Sequence, residues 1–249
     1  MRKHLSVLMV IARSTIYKIL AMFILLVCAE RLLFHFSLNS ALASADAGLG
    51  MANLEALISS SRIAWVFAVC FVAMAVLLSK TGCEYGSKQG YMLKRLSVSE
   101  RNVFVWQSIY NSFCFFMLWS VQTLLAYAFC KLYLAKVDPM LTSGQTIFLA
   151  FYRNSFLHSL LPLSEVSRWI RNILLLGCLG LAAAHFPYRQ RRGKVGVTII
   201  AMTSLSLVFF SRAIGSLGND ILIMILSIAN AAGVLDNTFR GSADEEAEA

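Results

Sequence analysis

Long apolar runs broken by short polar and basic stretches dominate the chain. Runs of about 20 apolar residues are what a hydrocarbon layer about 30 Å thick demands of a crossing helix. They fall at 19–38, 63–79, 103–134, 172–187, 195–211 and 220–235. A further stretch, 145–163 (QTIFLAFYRNSFLHSLLPL), is apolar but carries Arg153, Asn154 and His158 near its middle. Ahead of the first run, Leu5, Leu8, Met9, Ala12, Ile16, Ile19 and Leu20 recur at three- and four-residue steps, with Arg2, Lys3 and Arg13 off that stripe. The period is helical and amphipathic, so an N-terminal interfacial helix lying in the headgroup plane is expected, the alternative being an extension of the first span.

Composition closes off other classes. Of 249 residues, 58% are hydrophobic and 14% charged, against roughly 45–50% and 25% in soluble domains. Too little charge remains to coat a soluble globule of this size, and too much apolar surface exists for a disordered chain. The net charge of +9 comes from basic residues that punctuate apolar runs, so it forms no nucleic-acid-binding face. The expectation is a polytopic, all-α integral membrane protein in a cell membrane, in direct contact with the lipid bilayer.

Charge distribution sets an orientation. With the N-terminus inside and six crossings, fourteen of the 22 cations lie inside and seven at or beyond the outer face, leaving Arg31 within the first span. If 145–163 crossed as a seventh span, the cluster YRQRRGK at 188–194 would lie outside. Six transmembrane helices with both termini inside follow, with 145–163 as an outer-side, non-spanning helix that is either re-entrant or interfacial. The small-residue run ALASADA at 41–47 looks like a cleavage site, but the apolar stretch before it exceeds the usual length, so an uncleaved first span is expected. Residues 1–240 read as a single transmembrane domain and 241–249 as a disordered acidic tail.

The chemistry that would make an enzyme is missing. No G-x-x-x-x-G-K-[ST] occurs, so ATP is not hydrolysed by a P-loop within this sequence. There is no H-E-x-x-H, and His4, His35, His158 and His185 have no partner at metal-ligand spacing. Neither a metal nor a cofactor is implied.

Two features carry information. In the loop between spans two and three, GYMLKRLSVSE sets Tyr91, Leu93, Leu96 and Val98 beside Lys94 and Arg95. One apolar and one cationic side suit docking of another protein, or of anionic headgroups. Ser97 and Glu100 form an S-x-x-E capping box before the third run. The second feature is polarity inside the spans. Gln107, Asn111 and Gln122 share one face of span three with Leu118. Asn230 lies in span six and Glu30 in span one. Buried polar groups of this kind line a pathway, form a dimer interface, or hydrogen-bond helix to helix. Glu30 is expected to pair with Arg168 or Arg171 or to leave Arg31 snorkelling outward.

A basic amphipathic N-terminal helix, six spans with both ends inside and the segment GYMLKRLSVSER at 90–101 resemble the type-2 ABC transporter permeases. In that family the non-spanning outer helix usually precedes the last span, whereas here it falls between spans three and four. The resemblance implies the permease subunit of an ABC-type transporter, an exporter, energised by a separate ATP-binding subunit and paired with a second permease, identical or different. It also implies that the loop between spans two and three is a cytoplasmic coupling helix, with Tyr91, Leu93, Lys94, Arg95 and Leu96 contacting the ATPase. The competing expectation is a non-transporting membrane interaction protein: an immunity, sensor or scaffold subunit.

Overall fold

The computed structural model describes residues 2–46, 53–81, 83, 99–137, 143–163, 165–211 and 217–248. Among the described residues there are helices and no strand. In chain order they are α1 (Arg2–Asp46), α2 (Leu54–Ser60), α3 (Ile63–Lys80), α4 (Glu100–Lys136), α5 (Thr146–Arg153), α6 (Ser155–Leu160), α7 (Val166–Arg191), α8 (Thr198–Ser211) and α9 (Leu217–Glu248). Five of them, α1, α3, α4, α7 and α9, are long and apolar enough to cross a membrane. The chain is accordingly a multi-pass membrane protein. The fifth expected span is the 14-residue α8, about 21 Å long and shorter than the roughly 30 Å apolar layer.

No separate interfacial helix precedes the first span: Arg2–Asp46 is one helix of 45 residues. The reason is local and tertiary. No glycine or proline interrupts 2–46, so nothing breaks the backbone ladder. The N-terminal third also has a partner, because Val7 and Ile11 bury against Val103, flanked by Trp106 and Tyr110. Thr15 Oγ1 and the Tyr110 hydroxyl share a hydrogen bond of 2.7 Å. The face packed on α4 is thus that of Val7, Ile11 and Thr15, while Met9, Ile16 and Leu20 of the apolar stripe stay more than half exposed.

The start of α4 is also displaced. Its N-cap is Ser99, whose side chain makes no capping bond, and the helix begins at Glu100. The Glu100 carboxylate turns instead to Arg191 (3.7 Å) and Arg192 (3.8 Å) at the end of α7. The helix then runs 37 residues, about 55 Å at the standard rise.

The stretch 145–163 does not form one helix. It splits into α5 and α6, of eight and six residues, neither long enough to cross an apolar layer of about 30 Å. Asn154 makes the break: its Oδ1 accepts from the N–H groups of Phe156 (3.0 Å) and Leu157 (3.1 Å), capping α6. Its Nδ2 donates to Glu55 O and Ser59 Oγ of α2. Arg153, exposed, reaches Glu55 Oε1 at 3.3 Å. Past α6, the Pro162 carbonyl accepts from Trp169 Nε1 at 2.6 Å.

At the centre stands α7, packed on α3, α4, α8 and α9. Its run GCLGLAAA (177–184) lets neighbours approach closely, as small residues do where lipid replaces water and van der Waals contact drives helix association. A Cβ on Gly180 would stand 2.4 Å from the Ser112 backbone nitrogen. Elsewhere aromatic rings fill the core: Phe71 meets Phe67, Phe115 and Phe210 at centroid distances of 5.5–6.0 Å.

Paired contacts give the helix directions. Thr15–Tyr110, Glu30–Gln122 and Phe34–Phe129 rise together along α1 and α4, which are parallel. Ser112–Gly177 and Phe104–Tyr188 run oppositely, so α4 and α7 are antiparallel. Arg171–Asp220 and Tyr188–Thr238 rise together, so α7 and α9 are parallel. One end of the bundle therefore gathers Glu100, Arg189, Arg191, Arg192, Lys194 and Arg240, and the opposite end Arg153, Glu165, Arg168, Arg171 and Asp220.

Candidate functional site: the buried polar face of α4

Gln107, Asn111, Leu118 and Gln122 are all buried, each at most 1% exposed, so the face inferred from their spacing is the face α4 turns inward. Gln107, Gln122 and the neighbouring Ser112 each meet a different element. Gln107 Nε2 donates to the Thr81 carbonyl just past α3 at 2.6 Å. Gln122 Nε2 donates to Glu30 Oε2 of α1 at 3.0 Å. Between them, Ser112 Oγ donates to the Gly177 carbonyl of α7 at 3.2 Å.

The face is only partly satisfied. Glu30 Oε1, Gln122 Oε1 and both polar atoms of the Asn111 amide are buried without a hydrogen-bond partner. Such atoms are costly in an apolar interior, and native proteins hold few of them. These four lie in the middle of the bundle, where α1 and α7 flank α4; further such atoms sit on His158, His185, Ser206 and Ser227.

Glu30 does not pair with Arg168 or Arg171. Both arginines are committed elsewhere, for a geometric reason: they open α7 facing the first turn of α9, where Asp220 sits 1% exposed. Arg171 Nη1 donates to Asp220 Oδ1 at 2.7 Å. Arg168 binds Glu165 and lies 4.0 Å from Asp220 Oδ2. Ser167 Oγ donates to that same oxygen at 3.3 Å. Arg171 also donates to Asn172 Oδ1, Asn172 Nδ2 to the Ser159 carbonyl, and Ser159 Oγ to the Phe210 carbonyl. One chain of polar contacts thus ties α6, α7, α8 and α9. The sequence contains its signal, since Asp220 is the lone acid between 201 and 235 and opens an apolar run.

Asn230 is half-buried on α9, and no hydrogen bond joins it to Glu30, Asn111 or Gln122. The coupling residues Tyr91, Leu93, Lys94, Arg95 and Leu96 lie outside the described residues. Near them in sequence, Cys83 is buried and its Sγ donates to the Ser79 carbonyl at 3.4 Å. Burial pushes its thiol above the ordinary value, with Arg191 and Lys80 pulling it back.

Larger cavities are lateral and apolar. One of about 470 Å³ lies between α4 and α5, lined by Leu124, Tyr127, Phe148 and Phe151 among others. Another of about 410 Å³ lies between α3 and α8, lined by Val72, Val76, Ile200 and Leu207 among others. Among the described residues no group of three or more His, Cys, Asp or Glu side chains could hold a metal ion. Comparison with protein-family models, curated proteins and solved structures finds no match to this chain.

Proposed function

We propose that the chain is the membrane-spanning subunit of an ABC-type exporter, driven by a separate ATP-binding subunit and paired with a second permease, in a bacterial cytoplasmic membrane. The observation that carries this reading is the cluster of buried, incompletely bonded polar atoms on α4 and α1. Ionisable and amide groups at membrane depth are costly, and such residues are by default candidates for a pathway or a functional interface. Six crossings with both ends on the basic side belong to the same reading. The alternating helix directions support them, and α8 would make the short fifth crossing by help of its neighbours or a thinned bilayer. The segment 86–96 would receive the push of the ATPase pair, and α1 and α4 would tilt together against α7.

A packed interaction bundle without transport is the second reading. It is favoured by the Gln107–Thr81 and Ser112–Gly177 bonds, which use polar groups of α4 for helix-to-helix contact.

Co-purification separates the two. The tagged full chain is isolated in mild detergent from its native membrane, co-purifying P-loop ATPases are identified, and the ATPase activity of the complex is measured. A transport subunit retains the ATPase, Arg95→Glu with Leu96→Asp releases it, and Gln122→Leu leaves the complex assembled but lowers its turnover. Failure of any ATPase to associate with the parent chain overturns the proposal.

A further inference from the structure

The basic end of the bundle holds a cavity that the α4 face does not use. It measures about 230 Å³ and lies between the end of α7 with the turn that follows it and the 237–240 stretch of α9. Four cations line it: Arg189, Arg192, Lys194 and Arg240. This is smaller than the roughly 300–1,000 Å³ of pockets that bury drug-sized ligands, and it matches a compact anion.

The local fold builds this concentration of charge deliberately. After α7 ends, Gly193 takes φ +68°, a left-handed conformation that glycine adopts without a Cβ penalty. The Gly193 N–H then donates to the Gln190 carbonyl and the Lys194 N–H to the Arg189 carbonyl, both at 3.0 Å. That is the Schellman pattern of helix termination, and here it folds Lys194 back beside Arg189. Tyr188 fixes the facing wall by donating its hydroxyl to the Thr238 carbonyl of α9 at 3.0 Å.

Carboxylates offset half of the charge. Arg192 approaches Glu100 at 3.8 Å, and Arg240 pairs with Asp236 at 2.7 Å. Arg189 and Lys194 have no carboxylate partner among the described residues.

An independent observation comes from the cavity's histidine. His185 lines it, is fully buried, and stacks on Tyr188 at a centroid distance of 6.2 Å. Its Nδ1 meets the Thr198 hydroxyl at 3.5 Å, while its Nε2 is buried without a hydrogen-bond partner. With Thr198 donating to Nδ1, Nε2 carries the proton and is a donor. In that tautomer Nε2 presents a buried donor to a cavity whose charged lining is cationic, and a bound anion would satisfy it.

We propose that this cavity binds a phosphate group, held by Arg189 and Lys194 with His185 Nε2 as a third donor. Guanidinium forks and an ammonium point charge are the groups that recognise phosphate oxygens. The phosphate belongs either to an anionic lipid headgroup or to a free phosphate in solution. Basic pockets between membrane helices take headgroups of the first kind.

The test uses the full chain in neutral detergent micelles, following the thermal unfolding midpoint during two titrations. In one, phosphatidylglycerol is added to the micelles; in the other, inorganic phosphate replaces chloride at constant ionic strength. A saturable rise with phosphatidylglycerol alone supports the site with a lipid as its source, and a saturable rise with inorganic phosphate supports it with a free ion. In either case Lys194→Gln weakens binding about fivefold, Arg189→Gln does so again, and Arg13→Gln, an exposed cation on α1, changes nothing. Lys194 is exposed, so Lys194→Gln tests the site even if the double variant fails to fold. No rise with either additive, or a rise that Lys194→Gln leaves intact, overturns the proposal.

Discussion

Two acids are sunk in this bundle, and they are treated differently. Asp220 occupies the first turn of α9, where the helix dipole itself favours a carboxylate, and it faces Arg171, Arg168 and the Ser167 hydroxyl. Glu30 sits in mid-helix on α1, fully buried, with the Gln122 amide as its hydrogen-bond partner and one oxygen left over. The first arrangement is a clamp: charge is met by charge, and hydrogen bonds run onward through Asn172 and Ser159 to the backbone of α8. The second is a single tether between parallel helices. The contrast teaches that acidity at depth has no fixed meaning here. At one end it fastens helices, and in the middle it leaves a contact with little holding it shut.

Isosteric neutralisation of the two acids sharpens the contrast most. Asp220→Asn strips the closest counter-charge from Arg171, which is 1% exposed, and leaves it buried with the neutral Asn172 amide as its hydrogen-bond partner. The expected loss is about 3–5 kcal/mol, read as denaturant unfolding in micelles. A change as small as the one expected at Glu30 would erase the distinction. Next comes Gly180→Ala, at the contact of α4 with α7 that lies between the clamp and the basic end. Its methyl group meets the Ser112 backbone, so α4 must move and about 1–3 kcal/mol is lost. The same measurement checks it, and an unchanged midpoint would show that α4 is loosely seated. Smallest is Glu30→Gln, which keeps the shape and the bond from Gln122 while removing an ionisable group from the apolar interior. Stability is expected to change far less than with Asp220→Asn, because shape and hydrogen bond are both kept, and a loss comparable with Asp220→Asn would make Glu30 a clamp too.

What could be read from the sequence follows the physics of range. The apolar cores of α3, α4 and α7 were legible because each is set by its own composition and length. The inward face of α4 was legible because side chains three or four residues apart share a helix face whatever packs on it. The pairings were not. Gln122 finds Glu30 across 92 positions and Arg171 finds Asp220 across 49, and no local pattern encodes which of several candidate cations meets which acid. Helix continuity fell between these cases. The stripe on 5–20 is amphipathic in either orientation, and what ties this end of α1 to α4 is the neighbouring face, where Val7, Ile11 and Thr15 meet Val103 and Tyr110. Asn154 shows the opposite failure. A capping residue stood in plain view before SFLH, but the apolar pattern on both sides of it suggested one helix.

The unbroken length of α1 constrains how it moves. Thr15 bonds Tyr110 and Glu30 bonds Gln122, two rivets about 22 Å apart on one rigid rod. Because no glycine or proline interrupts the rod between them, axial slippage of α1 along α4 strains both rivets together. Its register is therefore a discrete setting, and a shift at the end near Thr15 is passed along the same continuous helix to Glu30.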